Sequence, residues 1–387
     1  MTTRSRAFAL KGAASVVAAL AVAGCSQTSS NSKSNLTVNG DTLAIVLSEP
    51  ADLGANPVAR DIVDAENLAF SQDQSEVKDF KLVRIFATGK TLSDNARNAI
   101  QTDSVIAYVG EIAPGASDQT VGIINALDML EVSPTDTAAE LTQDTTASEN
   151  LYQSWGTFGR TFARLSPNSL QEAAAQVAEM RSLGISSLYV TSDGTDYGDT
   201  LAEAVRKDAR SAGITLATNI SSAGGIFYGV MSPSAGATFF NHASSVAPNA
   251  KLFGPSSLNS GQFTSTVSSS VHDLYVTIPG FMPKQLNSSG RAFETAFATA
   301  YHHKPNVAAV FGYAAMASLL SVLHGAGASA NARGTVVKDF LKQSQSSSVL
   351  GSYKIAGTGN SNLDAFVVAR LSGGALVPFK AAPAPAT

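Results

Sequence analysis

Short apolar runs alternate with amphipathic stretches along the first part of the chain. Strands are predicted over Thr42 to Leu47, Lys81 to Ala87, Val105 to Val109 and Met129 to Val132. Between them, helices are predicted over Val58 to Phe70, Ser93 to Gln101 and Ser117 to Leu127, where apolar residues recur every three or four positions. This alternation favours parallel βαβ units and a doubly wound α/β sheet.

The same pattern begins again further along the chain. Helices are predicted over Leu170 to Leu183, Tyr197 to Ala212, Ala235 to Ser245, Arg291 to Tyr301, Val310 to His324 and Thr335 to Lys342. Strands are predicted over Ser187 to Thr191, Lys251 to Phe253 and Asp273 to Ile278. Two similar α/β halves, followed by helices and late strands, predict a protein of two lobes.

Two apolar runs, Ile214 to Ala217 and Ile226 to Met231, break this pattern because about eight Gly- and Ser-rich residues separate them. A parallel crossover needs about a dozen residues or more. The runs are therefore predicted either to form an antiparallel turn or to include one segment that is not a strand. The short connection also suggests a trimmed second lobe.

The first 24 residues are predicted to be a secretion signal. A basic start with Arg4, Arg6 and Lys11 precedes an apolar run from Gly12 to Gly24. As a helix this run rises about 20 Å, which is less than the ~30 Å hydrocarbon core of a bilayer. It therefore favours a cleaved signal over a permanent membrane span.

The apolar run ends at Cys25, the single cysteine of the chain. Leu20 to Cys25 resembles the bacterial lipobox, in which the cysteine takes a diacylglycerol and becomes the mature N-terminus. The resemblance implies a lipid anchor, and an incidental cysteine after an ordinary signal is the alternative. Residues 25–40 are rich in Ser and Asn and predict a flexible tether, and residues 381–387 predict a disordered tail.

Composition excludes several classes of protein. The 387 residues carry a formal net charge of −4, and only 14% are charged, which argues against a nucleic-acid-binding protein. One cysteine excludes an intrachain disulfide framework and a multi-cysteine metal cluster. The adjacent His302 and His303 lack the i, i+4 spacing of a helical metal pair, and no Gly-x-Ser-x-Gly nucleophile motif occurs. We expect no metal, no cofactor and no enzymatic activity.

Several motifs together resemble the branched-chain amino-acid-binding proteins of ABC importers, which have the type I periplasmic binding fold. The motifs are Val105 to Glu111, Ala113 to Ser117, Val132 to Thr137 followed by Glu140-Leu141-Thr142, Tyr197-Gly198 and Phe253-Gly254-Pro255. In that family the strand that corresponds to the one ending near Val132 is followed by Ser-Pro-x-Ala-Thr-x-x-Glu-Leu-Thr. The similarity extends over about residues 41–379.

The resemblance implies two Rossmann-like lobes joined by three hinge crossings, which close on a ligand. Lobe 1 is expected to comprise 41–165 and 284–346, and lobe 2 to comprise 166–283 and 347–380. In open α/β sheets, ligands bind at the carboxyl ends of strands. Two such edges that face each other form a cleft, and a ligand that contacts both lobes favours the closed state.

On lobe 1 the resemblance implies that Ser117, Thr135, Asp136 and Thr137 contact the ligand. Ser117 lies at a predicted helix start, where N–H groups suit a carboxylate, although it is equally typical of an N-cap. Thr137 retains the family's threonine. Asp136 replaces a small residue and is expected either to pair with a cation or to be a solvated turn residue.

On lobe 2 the resemblance implies that Tyr197, Ser232 and Ser256 contact the ligand. Tyr197 matches a tyrosine that packs on the ligand, and the alternative is a core residue at a helix start. Ser256 stands where amino-acid binders carry a glutamate for the ligand's ammonium group, and Ser232 lies near a position that is often tyrosine. These departures suggest an altered or lost ligand site.

The predicted function is that of a lipid-anchored, extracytoplasmic solute-binding protein. It is expected to be a monomer that captures a small polar, amino-acid-like ligand and presents it to an ABC permease at the outer face of the membrane. One alternative is an envelope lipoprotein of the same fold that regulates a cell-wall synthase, and another is a ligand-binding subunit of a sensory receptor. A hydrolase is a more distant alternative.

Overall fold

The computed structural model describes residues 36–73, 76–143, 151–152 and 154–383. The predicted signal segment 1–24 and Cys25 lie outside these described residues. The strands are β1 (Thr42–Ser48), β2 (Lys81–Ala87), β3 (Val105–Val109), β4 (Leu130–Ser133), β5 (Phe162–Arg164), β6 (Ser187–Ser192), β7 (Thr215–Leu216), β8 (Gly225–Gly229), β9 (Lys251–Gly254), β10 (Leu274–Pro279), β11 (Ser344–Gln345), β12 (Tyr353–Lys354), β13 (Phe366–Ser372) and β14 (Ala375–Ala381).

Helices connect most of these strands. They are α1 (Pro57–Gln72), α2 (Leu92–Gln101), α3 (Val121–Asn125), α4 (Trp155–Phe158), α5 (Ser169–Ser182), α6 (Asp196–Ser211), α7 (Pro233–Val246), α8 (Gly261–Thr266), α9 (Ser288–Tyr301), α10 (Ala309–Ala326) and α11 (Arg333–Phe340). The helix predicted over Ser117 to Leu127 is divided into a 3₁₀ turn, Ala116–Gln119, and α3. The division falls at Thr120, whose hydroxyl donates to the Glu131 carboxylate at 2.7 Å and lies 3.2 Å from the Ser117 carbonyl.

The first lobe contains a five-stranded parallel sheet in the order β2-β1-β3-β4-β5. On one face α1, α9, α10 and α11 bury an apolar core, and α2 and α3 cover the other face. The apolar helix α10 is long enough to span a membrane, but it packs in this core against α1. Strands that are buried on both faces explain the continuous apolar runs of the sequence.

The second lobe contains a seven-stranded sheet in the order β14-β13-β10-β9-β8-β6-β7. The strands from β10 to β7 are parallel, whereas β13 and β14 form an antiparallel hairpin beside β10. Helices α5 and α6 bury one apolar cluster of this lobe, and α7 and α8 bury the other. The α/β prediction with parallel sheets is confirmed.

The interpretation of the runs Ile214 to Ala217 and Ile226 to Met231 was wrong. Both contain strands, and both strands are parallel to β6, but they pair with opposite edges of it. The first of these strands, β7, is only two residues long and aligns with the start of β6, where β8 also begins. The connection therefore has to cross only one end of β6, and a short 3₁₀ turn, Ile220–Ser222, is sufficient. This order removes the reason for inferring a trimmed second lobe.

The chain crosses between the two lobes three times, after β5, after β10 and between β12 and β13. Tyr353 and Ile355 pack in the core of the first lobe, so the third crossing follows Ile355 rather than residue 346. The end of the predicted tether is part of the fold, because Val38 is buried and its N–H donates to the Asn331 carbonyl. Ala381, the first residue of the predicted tail, lies in β14, and residues 384–387 lie outside the described residues.

Candidate ligand site between the lobes

Loops at the carboxyl ends of strands from both sheets face one another. The first sheet contributes residues 49–56 after β1, 110–117 after β3 and 134–141 after β4. The second sheet contributes residues 193–195 after β6, 230–232 after β8 and 255–260 after β9. This is the edge at which open α/β sheets bind ligands, so the predicted cleft has the expected position.

The facing loops are in direct contact. Gly115 has a φ of +77°, and a Cβ at this position would lie 2.9 Å from the sulfur of Met231 in the other lobe. Apolar side chains of the two lobes also pack together. One buried cluster contains Ile62 and Ile112 of the first lobe and Val230 and Leu258 of the second. The lobes are therefore closed on one another.

Asp136 occupies the anion-binding end of the first lobe with its own carboxylate. The side chain is fully buried and accepts hydrogen bonds from the backbone N–H groups of Gly115 (2.7 Å), Ser117 (2.9 Å) and Ala138 (3.0 Å). Burial raises the pKa of Asp136, whereas Arg164 and these N–H groups oppose the rise. The expectation of a solvated turn residue is wrong, because the N–H groups suited to a ligand carboxylate already bind this side chain.

Arg164 is the buried cation beside Asp136. Its guanidinium donates to the Asp136 carbonyl (2.8 Å), to the Thr142 hydroxyl (2.6 Å) and to the Asn360 side-chain oxygen (3.0 Å). Its charge also lowers the pKa values of Asp118 and Glu140, which burial raises to about 8 and about 6. Arg164 therefore connects three chain segments, and its positive charge favours the ionised form of several buried acids.

Glu172, from the first turn of α5, occupies the second-lobe side of the predicted site. Its carboxylate accepts hydrogen bonds from the Ser256 N–H (2.6 Å) and hydroxyl (3.0 Å) and from the Thr277 hydroxyl (2.7 Å). Tyr197 and Thr137 direct their hydroxyls to it at 3.4 and 3.5 Å. Burial raises the pKa of Glu172 to about 7, against these hydrogen bonds. Glu172 thus accepts hydrogen bonds from the hydroxyl groups of Thr137, Tyr197 and Ser256, which the sequence analysis predicts to contact a ligand.

The structure brings together five of the seven predicted site residues around Asp136 and Glu172. These are Ser117, Asp136, Thr137, Tyr197 and Ser256, all of them buried. Thr135 lies beside them and lines a cavity. Ser232 stands apart as the N-cap of α7, where its hydroxyl accepts the Ala235 N–H. A direct contact of these seven residues with a ligand remains a prediction.

A cavity of about 210 Å³ remains next to the filled site. Its walls combine apolar groups, uncharged polar groups and one carboxylate: Pro50, Asp52, Asn56, Val58, Ala59, Ile62, Ile112, Ala113, Pro114, Thr135, Met231, Pro233, Ser256, Ser257, Asn259, Ser260, Gln262, Pro279 and Ala308. Ligand sites are typically concave, mostly apolar and furnished with a few polar groups. The cavity therefore has the character of a small-molecule site.

Sequence reasoning missed Glu172, Arg164 and the cavity wall formed by α1 and the segment 257–262. One signal was present for Glu172. It precedes Gln176 by four residues and lies with Ala173 and Val177 on the buried face of α5. A carboxylate on that face needs polar partners, and this requirement points to a polar cluster between the helix and the sheet.

A further buried carboxylate lies behind the first-lobe loops. Glu111 accepts hydrogen bonds from the hydroxyls of Ser48 (2.9 Å) and Tyr108 (2.5 Å), and its own N–H donates to the Ser117 hydroxyl. Burial raises the pKa of Glu111 to about 7. Ser117 is therefore held from two sides, because its hydroxyl accepts from Glu111 and its N–H donates to Asp136.

The raised pKa of Glu172 predicts a dependence of stability on pH. A carboxyl group whose pKa rises from 4.5 to about 7 on folding binds more protons in the folded chain than in the unfolded chain between these values. Stability therefore falls as pH rises through this window. We expect the wild-type melting temperature to fall by several degrees between pH 5 and pH 8, and that of Glu172→Gln to fall less.

Differential scanning calorimetry at a series of pH values measures this difference. Glutamine retains an oxygen that can accept the Ser256 N–H but carries no charge at any of these pH values. Glu203→Gln, at an exposed position on α6, is the matched control and leaves the slope unchanged. If the melting temperature changed equally with pH in wild type and in Glu172→Gln, the raised pKa would not belong to Glu172.

Comparisons with known proteins identify the fold. No protein-family model matches the sequence, and no curated protein sequence is similar to it. A leucine-binding protein from Thermotoga maritima superimposes with a TM-score of 0.71 at 17% identity, covering 89% of this chain and 99% of that chain. An ABC transporter substrate-binding protein from Desulfitobacterium hafniense in complex with Leu gives 0.68 at 20% identity, with 87% and 100% covered.

A third structure broadens the range of ligands among the neighbours. The solute-binding protein of an ABC transporter from R. palustris, in complex with benzoate, gives a TM-score of 0.66 at 16% identity and covers 90% of this chain and 98% of that chain. The chain therefore has the two-lobed type I periplasmic binding fold, and this prediction is confirmed.

Proposed function

We propose that the protein is an extracytoplasmic solute-binding protein of an ABC importer. The observation that carries the proposal is the cavity, which is built from carboxyl-end loops of both sheets where they meet. A ligand there contacts both lobes and stabilises their closed arrangement through its higher affinity for that state. The protein needs no covalent chemistry for this role. The proteins with the same fold that bind leucine or benzoate support the proposal.

The proposal includes the predicted lipid anchor and partner. The signal segment and Cys25 place the folded lobes outside the membrane, tethered by acyl chains. Each buried CH₂ contributes about 0.8 kcal/mol, and two or more acyl chains make such anchoring stable. The closed protein then presents its ligand to the permease as a monomer. Mass spectrometry of the protein from its native membrane tests for the diacylglycerol on Cys25, and an unmodified cysteine would contradict the anchor.

Isothermal titration of the purified protein against a library of small solutes tests the binding function. Val58 lines the cavity and is half-buried, so Val58→Trp fills the space and is expected to weaken any binding at least tenfold. Val246→Trp, at the exposed end of α7, is the matched control and leaves affinity unchanged. If no solute binds, or if Val58→Trp binds as wild type does, the cavity is not the ligand site.

One observation favours a second function. Asp136 and Glu172 fill the places expected for an amino-acid ligand, and the lobes are closed on one another through their own side chains. This arrangement suits an envelope lipoprotein that regulates a cell-wall synthase and has no cargo. Binding of the purified protein to a peptidoglycan synthase, with no binding to an importer permease, would favour this alternative.

A further inference from the structure

The walls of the inter-lobe cavity carry no cationic group. Among the described residues that line it, none is lysine, arginine or histidine, and the one charged residue is Asp52. The nearby buried cation, Arg164, already donates to Asp136, Thr142 and Asn360. An anionic ligand in the cavity would therefore be desolvated without a compensating charge.

Three of the four hydroxyl groups of the wall, those of Thr135, Ser256 and Ser257, have already committed their protons. The Thr135 hydroxyl donates to the Ile112 carbonyl at 2.7 Å, the Ser256 hydroxyl to Glu172 at 3.0 Å, and the Ser257 hydroxyl to the Val230 carbonyl. A hydroxyl has one proton and two lone pairs, so each of these groups offers a ligand only acceptor capacity. This part of the wall accordingly selects a hydrogen-bond donor.

Two backbone sites of the facing loops that could bind a carboxylate from a ligand are occupied. The Gly115 and Ser117 N–H groups bind Asp136, and the Ser256 N–H binds Glu172. A ligand carboxylate would have to displace a buried side chain and would also be repelled by the charge of that side chain when it is ionised. The internal carboxylates therefore block these two sites to free acids, including amino acids.

We propose that the ligand is a small hydrogen-bond donor without a carboxylate, an amine or an alcohol on a compact apolar body. This inference rests on the proposed function and names its substrate class. The apolar body would pack on Ile62, Ile112 and Ala308, and the donor would face the hydroxyl acceptors. Amines bind more tightly than alcohols, because the ammonium group also interacts favourably with Asp52.

Titration calorimetry with two matched series tests the ligand class. The first series shares a branched skeleton and comprises 3-methylbutylamine, 3-methylbutanol, 4-methylpentanoate and leucine. The second shares an aromatic ring and comprises benzylamine, benzyl alcohol and benzoate. We expect the amine of at least one series to bind at least tenfold more tightly than its acid, and leucine to bind more weakly than 3-methylbutylamine.

Two variants assign the effect to the cavity. Asp52→Asn removes an exposed carboxylate at the wall and is expected to weaken amine binding two- to fivefold while leaving alcohol binding unchanged. Val58→Trp is expected to weaken both, because it fills the space that the shared body occupies. Asp41→Asn, an exposed acid outside the cavity wall, is the control and changes neither affinity.

The outcomes separate this inference from the proposed function. Tighter binding of 4-methylpentanoate, leucine or benzoate than of the matched amine would overturn the ligand class and still support a solute-binding protein. Absence of binding by every member of both series would also overturn the ligand class. Failure of the entire solute library would contradict the proposed function itself.

Discussion

Replacing Arg164 with alanine is expected to lower the free energy of unfolding by about 3–5 kcal/mol, the usual effect of removing one partner from a buried charged network. The guanidinium is fully buried and makes three hydrogen bonds. Its loss would leave the Thr142 hydroxyl and the Asp136 carbonyl without this donor. It would also remove the charge that lowers the pKa values of Asp118 and Glu140.

Chemical denaturation followed by circular dichroism measures this loss. Arg164→Lys would restore the charge but cannot reproduce three divergent hydrogen bonds, so we expect it to recover only part of the stability. Arg97→Ala is the matched control, because Arg97 is exposed on α2 and pairs with the partly exposed Asp94. Such pairs contribute at most about 1 kcal/mol. Equal losses for the two alanine variants would contradict the central role of Arg164.

Replacing Asp136 with alanine is expected to cost about 3–5 kcal/mol of stability. The substitution would leave the N–H groups of Gly115, Ser117 and Ala138 buried without their acceptor, and each orphaned donor costs about 1–3 kcal/mol before any water enters. It would also remove the acid whose charge most strongly favours the charged form of Arg164. The expected loss is therefore among the largest that a single substitution in this chain can produce.

Asp136→Asn gives a sharper test of the same geometry. One oxygen of Asp136 accepts from Gly115 and Ala138, and the other accepts from Ser117. Asparagine can reproduce the first pair, but its amide group would then direct a donor at the Ser117 N–H. We expect asparagine to recover less than half of the stability lost in Asp136→Ala. Asp339→Ala, at an exposed position on α11, is the control and changes stability by less than about 0.5 kcal/mol.

Local pattern was sufficient to predict much of the fold. The strands Lys81–Ala87 and Val105–Val109 have the predicted bounds. Val105–Val109 is a continuous apolar run and is buried throughout, as is typical of a central parallel strand. Lys81–Ala87 lies at the edge of the sheet and is mostly exposed or half-buried. Local pattern does not predict which strands pair with one another in a sheet. The placement of β7 and β8 on opposite edges of β6 depends on tertiary packing. Spacing along the chain could not reveal it.

The sequence predicted which residues lie between the lobes, but it did not predict their hydrogen-bond partners. Ser117, Thr137 and Ser256 converge as expected, since each follows a strand at the facing edges of the two sheets. Their hydrogen bonds, however, involve acids of the protein itself. Glu172 lies 84 residues from Ser256, and only the folded chain brings its carboxylate to the Ser256 N–H.

The triple crossing between the sheets has a consequence for dissecting the protein. Each lobe is assembled from separate stretches of sequence, so no single contiguous gene fragment encodes a whole lobe. A protease cut in any one connection leaves the halves joined by the other two strands of polypeptide. Recombinant expression of one half in isolation would therefore require a redesigned order of segments, with new linkers joining the pieces.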